Sequence, residues 1–285
     1  DSLLANTTGT QNTAVGKEAL DANTTASDNT AIGYQAMTSN QTGASNTFVG
    51  SEAGRDNTAN SNTGIGKRAL FENTSGTSNT AVGKDALYNN TTASNNTAVG
   101  TDALEANTTG TQNTALGALA LLTNTTANNN TGLGYKALEA TTTGSQNTSV
   151  GAHSLDANTT GSENTACGYD VLSDNTTGQG NLGVGAYALA DNTTGGSNVA
   201  AGYLALYKNT TANSNTAVGY AALKENTTGT QNTAVGHRAL DANTTANNNV
   251  AIGHDCLTAN TTGENNTSVG TNSMLTNSTG SSNTA

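Results

Sequence analysis

Small apolar residues recur along this chain in one short arrangement. "NTAVGKEALDANTTASD", Asn12 to Asp28, is followed at once by "NTAIGYQAMTSNQTGAS", and the pattern continues to the end. The Gly that closes each "AVG" falls at 16, 33, 50, 66, 83, 100 and onward to 270, in steps of 17 residues with a single step of 16. The consensus is N-T-A-V-G-x-x-A-L-x-x-N-T-T-G/A-x-x. The first Asn is present in every copy. The Val column holds only Val, Ile, Leu, Cys or Ala. The Leu column holds Leu or Met except at Gly54, and the second Asn fails only at Thr141. Charge and Tyr are confined almost wholly to the x positions.

A period of 17 is too short for a helix-turn-helix repeat of about 34 residues and fits one coil of a β-solenoid. Thr-Ala-Val predicts a short strand by β-branching and alternation. Thr and Val then share one face, and the apolar replacements Leu182, Val199 and Val250 in the Thr column predict that this face points inward or into an interface. Gly and the Asn-Thr-Thr-Gly run supply the bends. The arc around "KEALDA" reads as a second strand or an irregular arc, with a single helical turn bearing Ala19 and Leu20 as the alternative. The predicted core is Val15, Leu20, Ile32, Val82, Leu87, Val99 and Leu104.

Stacked coils place like residues about 4.8 Å apart. A side-chain amide both donates and accepts, so a column of Asn can bond to itself. Asn12, Asn29, Asn46, Asn62, Asn79, Asn96, Asn113 and Asn130 are the predicted ladder. One coil offers too little apolar surface to offset the backbone entropy of its own residues, so it needs neighbours above and below. The fold expectation is an all-β solenoid or β-roll of about 16 coils of 17 residues. Residues 1–285 form one repeat array with an irregular 16-residue copy at 46–61. That copy, with Phe48 and Gly54, reads as drift, or as a kink that exposes a contact. The chain starts at Asp1 and both ends fall inside a repeat, which reads as a segment of something longer.

Composition narrows the function. There is no Pro, which a continuous hydrogen-bonded ladder requires, and charged residues are only 10%. A net charge of −11 with scattered Lys and Arg opposes nucleic-acid binding. No apolar run approaches the length of a membrane span. Cys167 and Cys256 read as two buried free thiols. His153, His237 and His254 lie at variable surface positions, and no nucleophile has a base at motif spacing, so the chain reads as non-enzymatic with no cofactor. Calcium binding would want the GGxGxD pattern, which is absent. The N-x-S/T sequons at Asn23, Asn107, Asn158 and Asn175 read as structural, since glycans would crowd at coil spacing. Tyr34, Tyr135, Tyr169, Tyr203 and Tyr220 each follow the repeat Gly and are the candidate contact residues.

The "NTAVGxxAL…NTTG" unit resembles the repeats of tail-fibre-type proteins of phages and bacteria. More distantly it resembles the head repeats of trimeric autotransporter adhesins, whose units are shorter. The resemblance spans the whole chain. It implies a parallel homotrimeric fibre or adhesive stalk, located outside the cell, on a cell surface or on a virion. The partners it implies are other copies of the chain and a cell-surface glycan or protein. A second expectation comes from the residues: Thr columns such as Thr7/Thr8 and Thr24/Thr25, repeated at coil spacing, are what an ice-binding solenoid presents.

Overall fold

A computed structural model describes residues 1–285. The chain is an all-β parallel β-solenoid of about 16 turns, without helix. Its strands fall into two compact units, Asp1–Ser145 and Gln146–Ala285. The first unit holds β1 (Thr13–Val15), β2 (Thr30–Ile32), β3 (Thr47–Val49), β4 (Thr63–Ile65), β5 (Thr80–Val82), β6 (Thr97–Val99), β7 (Thr114–Leu116) and β8 (Thr131–Leu133). The second holds β9 (Thr148–Val150), β10 (Thr165–Cys167), β11 (Leu182–Val184), β12 (Val199–Ala201), β13 (Thr216–Val218), β14 (Thr233–Val235), β15 (Val250–Ile252) and β16 (Thr267–Val269). Within each unit every strand pairs in parallel with the next, one full repeat out of phase. Thr97 therefore faces Thr114, Ala98 faces Ala115 and Val99 faces Leu116.

Each strand stops after three residues because the Gly that follows takes a backbone that L-residues avoid, φ +141 at Gly100 for example. The chain then turns through an arc that is neither strand nor helix. Alternate arc residues are left-handed: Glu18 has φ 59 and Leu20 has φ 52, and the same two columns repeat this in the following coils. Left-handed Leu is costly, on the order of 1 kcal/mol per residue. The arc is held by bonds to the next coil, such as Leu20 N–H to the Ala36 carbonyl at 2.9 Å, and by tight local turns, such as Asn23 N–H to the Leu20 carbonyl at 3.3 Å.

Of the two orientations expected for the Thr–Val face, inward or into an interface, the inward one is overturned. The middle residue of each strand points inward: Ala31, Ala81 and Ala98 are fully buried. Thr and Val point outward. Val15 is 56% exposed, Ile32 is 38% exposed, and Val82 and Val99 are half-buried, so these four are surface residues and not core. Leu20, Leu87 and Leu104 are fully buried as core. The reason is the thinness of the interior. The strand's middle residue meets the Ala column of its own arc, as Ser149 meets Ser154, and the Leu column of the preceding coil, as a Cβ on Gly132 would meet Leu121 at 3.5 Å, across a single layer that two inward β-branched residues per strand would overfill.

Substitutions in this layer come in matched sets. Ser149 donates to the Ser154 hydroxyl at 2.8 Å, and Ser268 to Ser273 at 2.8 Å, so each buried hydroxyl meets another. Val171 occupies the room a side chain on Gly183 would take, since a Cβ there would lie 2.4 Å from the Val171 Cγ1. The irregular copy follows the same rule. Phe48, from the strand Ala column, is fully buried and fills the place of the missing Leu. A Cβ on Gly54 would lie 2.5 Å from the Phe48 ring, and one on Gly64 2.4 Å from it. Strand β3 keeps its register with both neighbours. The irregular copy thus exposes no contact; Phe, Gly and Gly have exchanged volume for Ala, Leu and Ala. Phe48→Ala alone is expected to cost about 3–5 kcal/mol by cavity formation, and Gly54→Leu alone to clash. The double variant should recover most of either loss in a denaturant titration; additive losses would refute the exchange.

Candidate functional site

The interior of each coil is organised by asparagine. In the fifth coil the Asn79 side-chain amide donates to the Ala93 carbonyl at 2.8 Å, and the Asn90 amide donates to the same carbonyl at 3.0 Å. The two Asn of one coil therefore clamp one corner from both sides. The first Asn also receives the backbone N–H of the next coil, Asn96 N to the Asn79 Oδ1 at 3.0 Å. The second Asn donates along its own column, Asn107 Nδ2 to Asn90 Oδ1 at 2.9 Å and Asn124 Nδ2 to Asn107 Oδ1 at 2.8 Å. Asn29, Asn46, Asn62, Asn96, Asn113 and Asn130 are fully buried, Asn79 is nearly so, and Asn12 near the chain start is half-buried. The sequon residues Asn23, Asn107, Asn158 and Asn175 are fully buried as well. Where Thr141 interrupts the second column, Asn124 Oδ1 is buried without a hydrogen-bond partner.

No pocket opens within either unit, and the surfaces carry the candidate chemistry. The first is the outward face of the strands, with Thr in one row and Val, Ile or Leu in the other. Val15, Ile32, Ile65 and Leu116 in the first unit, and Val150, Val184, Val218 and Ile252 in the second, are exposed. None of the outward strand positions carries a charge, although charge is spread along the arcs. Cys167 occupies this row and is exposed, whereas Cys256 is buried with its thiol 3.1 Å from the Ser268 hydroxyl. Of the two thiols read as buried, Cys167 is thus a surface group, turned outward with the rest of its row.

The corner Thr residues are used differently. Thr108 Oγ1 donates to the Thr125 carbonyl at 3.1 Å, and Thr176 Oγ1 to the Thr193 carbonyl at 3.0 Å. In most coils this first corner Thr, the column of Thr7, thus spends its proton on a carbonyl of the next coil.

The chain matches no protein-family model and no curated protein.

The second surface is a run of rings on the arcs of the second unit. His153, Tyr169, Tyr187, Tyr203, Tyr220, His237 and His254 come one per coil, with successive centroids 4.8 to 6.2 Å apart. The geometry changes along it: edge-to-face around Tyr187, then stacked from Tyr203 to His254. Tyr169, Tyr203 and Tyr220, predicted as contacts, belong to this column and are about half exposed. Tyr34 and Tyr135 are exposed in the first unit, each with a lysine ammonium near its ring, Lys17 at 5.8 Å and Lys136 at 5.7 Å. Sequence reasoning missed Tyr187 and the three His as members of the column. The available signal was spacing: His237 and His254 are one repeat apart, so they must stack.

Charged arc residues also pair between coils. Arg68 donates to the Asp85 carboxylate at 2.7 Å, and Lys84 reaches it at 2.5 Å. Burial alone would raise the Asp85 pKa, but the bonds from Lys84 and Arg68 outweigh it and hold it below the usual range. Hydrogen bonds from Lys208 and Lys224 lower Glu225 likewise. Asp241 shows the opposite balance, with burial raising it above its ordinary value.

Proposed function

We propose that the chain is a non-enzymatic structural segment of an extracellular, cell-surface or virion fibre, built from parallel copies joined through their Thr–Val faces. One observation supports this most. Each unit presents an uncharged, β-branched row along its exposed strand face, and contiguous exposed apolar surface of this kind marks an association site. The occupant that fits is another copy of this chain. The row repeats at the coil spacing, so a partner must carry the same axial repeat to match it along its length, and a parallel copy in register does so. Three chains per fibre follow from the resemblance to tail-fibre and adhesin-head repeats. The aromatic column, carried on the arcs with its Tyr about half exposed, is the surface offered to a glycan or protein.

Sedimentation of the full chain tests the assembly. The chain is expected to sediment as an oligomer, and the pair Val82→Glu and Val99→Glu to give monomers with the β circular-dichroism signal kept. Cys167 is a native reporter in the equivalent strand row of the second unit: a thiol reagent should reach it faster in the dissociated variant. A wild-type chain that is monomeric at micromolar concentration, with Cys167 freely reactive, would remove the reading.

A second reading is favoured by the same face. Register-locked rows of Thr and Val, with methyls and hydroxyls at about 4.8 Å spacing, suit binding to ice. The strand Thr column would serve it, since the first corner Thr hydroxyls are committed to carbonyls. A monomer with thermal hysteresis that vanishes on Val82→Glu would select this reading over the fibre.

A further inference from the structure

We propose that His237, His254 and Asp255 form a binding site for a divalent transition-metal ion of the zinc type. The stacking of coils creates the site. His237 and His254 follow the repeat Gly in adjacent coils, so their rings lie parallel, centroids 4.8 Å apart with 5° between planes. Asp255, next along the arc, turns its carboxylate to both. Its oxygens lie 3.4 Å from His254 Nδ1 and 3.9 Å from His237 Nδ1, and the three ligand atoms all fall within 4.8 Å of one another. Asp255 Oδ1 is buried and accepts no hydrogen bond.

Two imidazole nitrogens and a carboxylate oxygen suit zinc, cobalt or nickel, and not magnesium, which prefers oxygen and water. Tetrahedral zinc with bonds of about 2.0–2.1 Å holds its ligand atoms roughly 3.4 Å apart. One pair already has that separation. Both rings are about half exposed and free to tilt for the rest. One protein group opposes the ion: Arg238 Nε lies 3.6 Å from the Asp255 carboxylate. It also lies 3.7 Å from Asp241, which can take the guanidinium when the ion binds. The three ligands sit on the arcs and are not members of the Thr–Val rows.

Calorimetric titration of zinc into the intact chain, with cobalt as the spectroscopic probe and magnesium as comparison, tests it. Zinc should bind as a single ion, and cobalt should give the visible absorption of a low-coordinate site. His254→Ala and His237→Ala should each weaken binding by about tenfold or more, and Asp255→Asn similarly. Arg238→Gln should tighten it, an effect that a merely structural role for these residues would not produce. Circular dichroism confirms that each variant keeps its fold. Zinc binding unaltered by both His substitutions, or no zinc binding in either the wild type or Arg238→Gln, would overturn the site.

Discussion

Asn107→Ala is expected to lower stability by about 4 kcal/mol, far more than truncating one polar side chain at a surface. Asn107 is fully buried and joins three neighbours. It donates to Asn90 Oδ1 at 2.9 Å and to the Gly110 carbonyl at 3.0 Å, and it accepts from Asn124 Nδ2 at 2.8 Å. The Gly110 carbonyl keeps a second donor in Asn96. The Asn90 oxygen and one Asn124 proton do not find another partner, and each buried orphan costs about 1–3 kcal/mol. Asn107→Asp should be worse, because it removes the donors and buries a charge. The converse substitution is Thr141→Asn. It places a donor beside the unpartnered Asn124 Oδ1 and should add about 1 kcal/mol. Denaturant midpoints and hydrogen exchange around residues 90–124 measure all three. Since coils interact mainly with their neighbours, the loss should be local in exchange before it is global. Unchanged protection of the neighbouring coils in Asn107→Ala would show that the column contributes nothing.

Gly100→Ala should be comparably damaging for a different reason. A Cβ there would lie 2.5 Å from both the carbonyl carbon and oxygen of Gly117, closer than non-bonded atoms approach. Neither contact is a flexible side chain, so the two coils must separate. That strains the bonds between those two coils, Gly117 N–H to the Val99 carbonyl at 2.8 Å and Leu119 N–H to the Thr101 carbonyl at 3.0 Å. The φ of +141 adds backbone strain. Gly270 separates the two causes. Its φ is +127, but the nearest atom to an added Cβ is Ser273 Cβ at 3.9 Å. Gly270→Ala should therefore cost only the strain, about 1–3 kcal/mol, and Gly100→Ala at least about 2 kcal/mol more. Equal losses at the two positions would mean that backbone conformation, and not the closeness of stacked coils, dictates this glycine column.

Both substitutions act on columns visible in the sequence, but the reason each column exists was only partly legible. Invariant Asn pointed to amide ladders. It did not reveal that the two Asn of one coil share a carbonyl, because that contact joins residues 14 apart, such as Asn79 and Ala93, with residues 3 apart, such as Asn90 and Ala93. The faces of the strand were misread because a three-residue strand allows one inward residue or two, and alternation fits both. A cue was present: the middle column holds Ala, Gly or Ser except at Phe48, and Phe48 is followed by the compensating Gly54 and Gly64. Small residues throughout a column mark a tight interior. The arc was beyond local reasoning, since no propensity argument places Leu at φ near +52 in copy after copy.

The sequence by itself determined the period, the position of each strand, the columns that stack and the absence of a proline interruption. These are one-dimensional facts, repeated in every copy, and stacking converts them directly into neighbours. Tertiary structure alone decided which face is inside, how the arc turns, and that His153 and Tyr187, one position further along the arc than Tyr169 and Tyr203, join the same column of rings. Those depend on how much room lies between strand and arc within a coil, and on which side chains the axial repeat brings together. Interior width and lateral contact are properties of the closed coil, and no single copy of the repeat contains them.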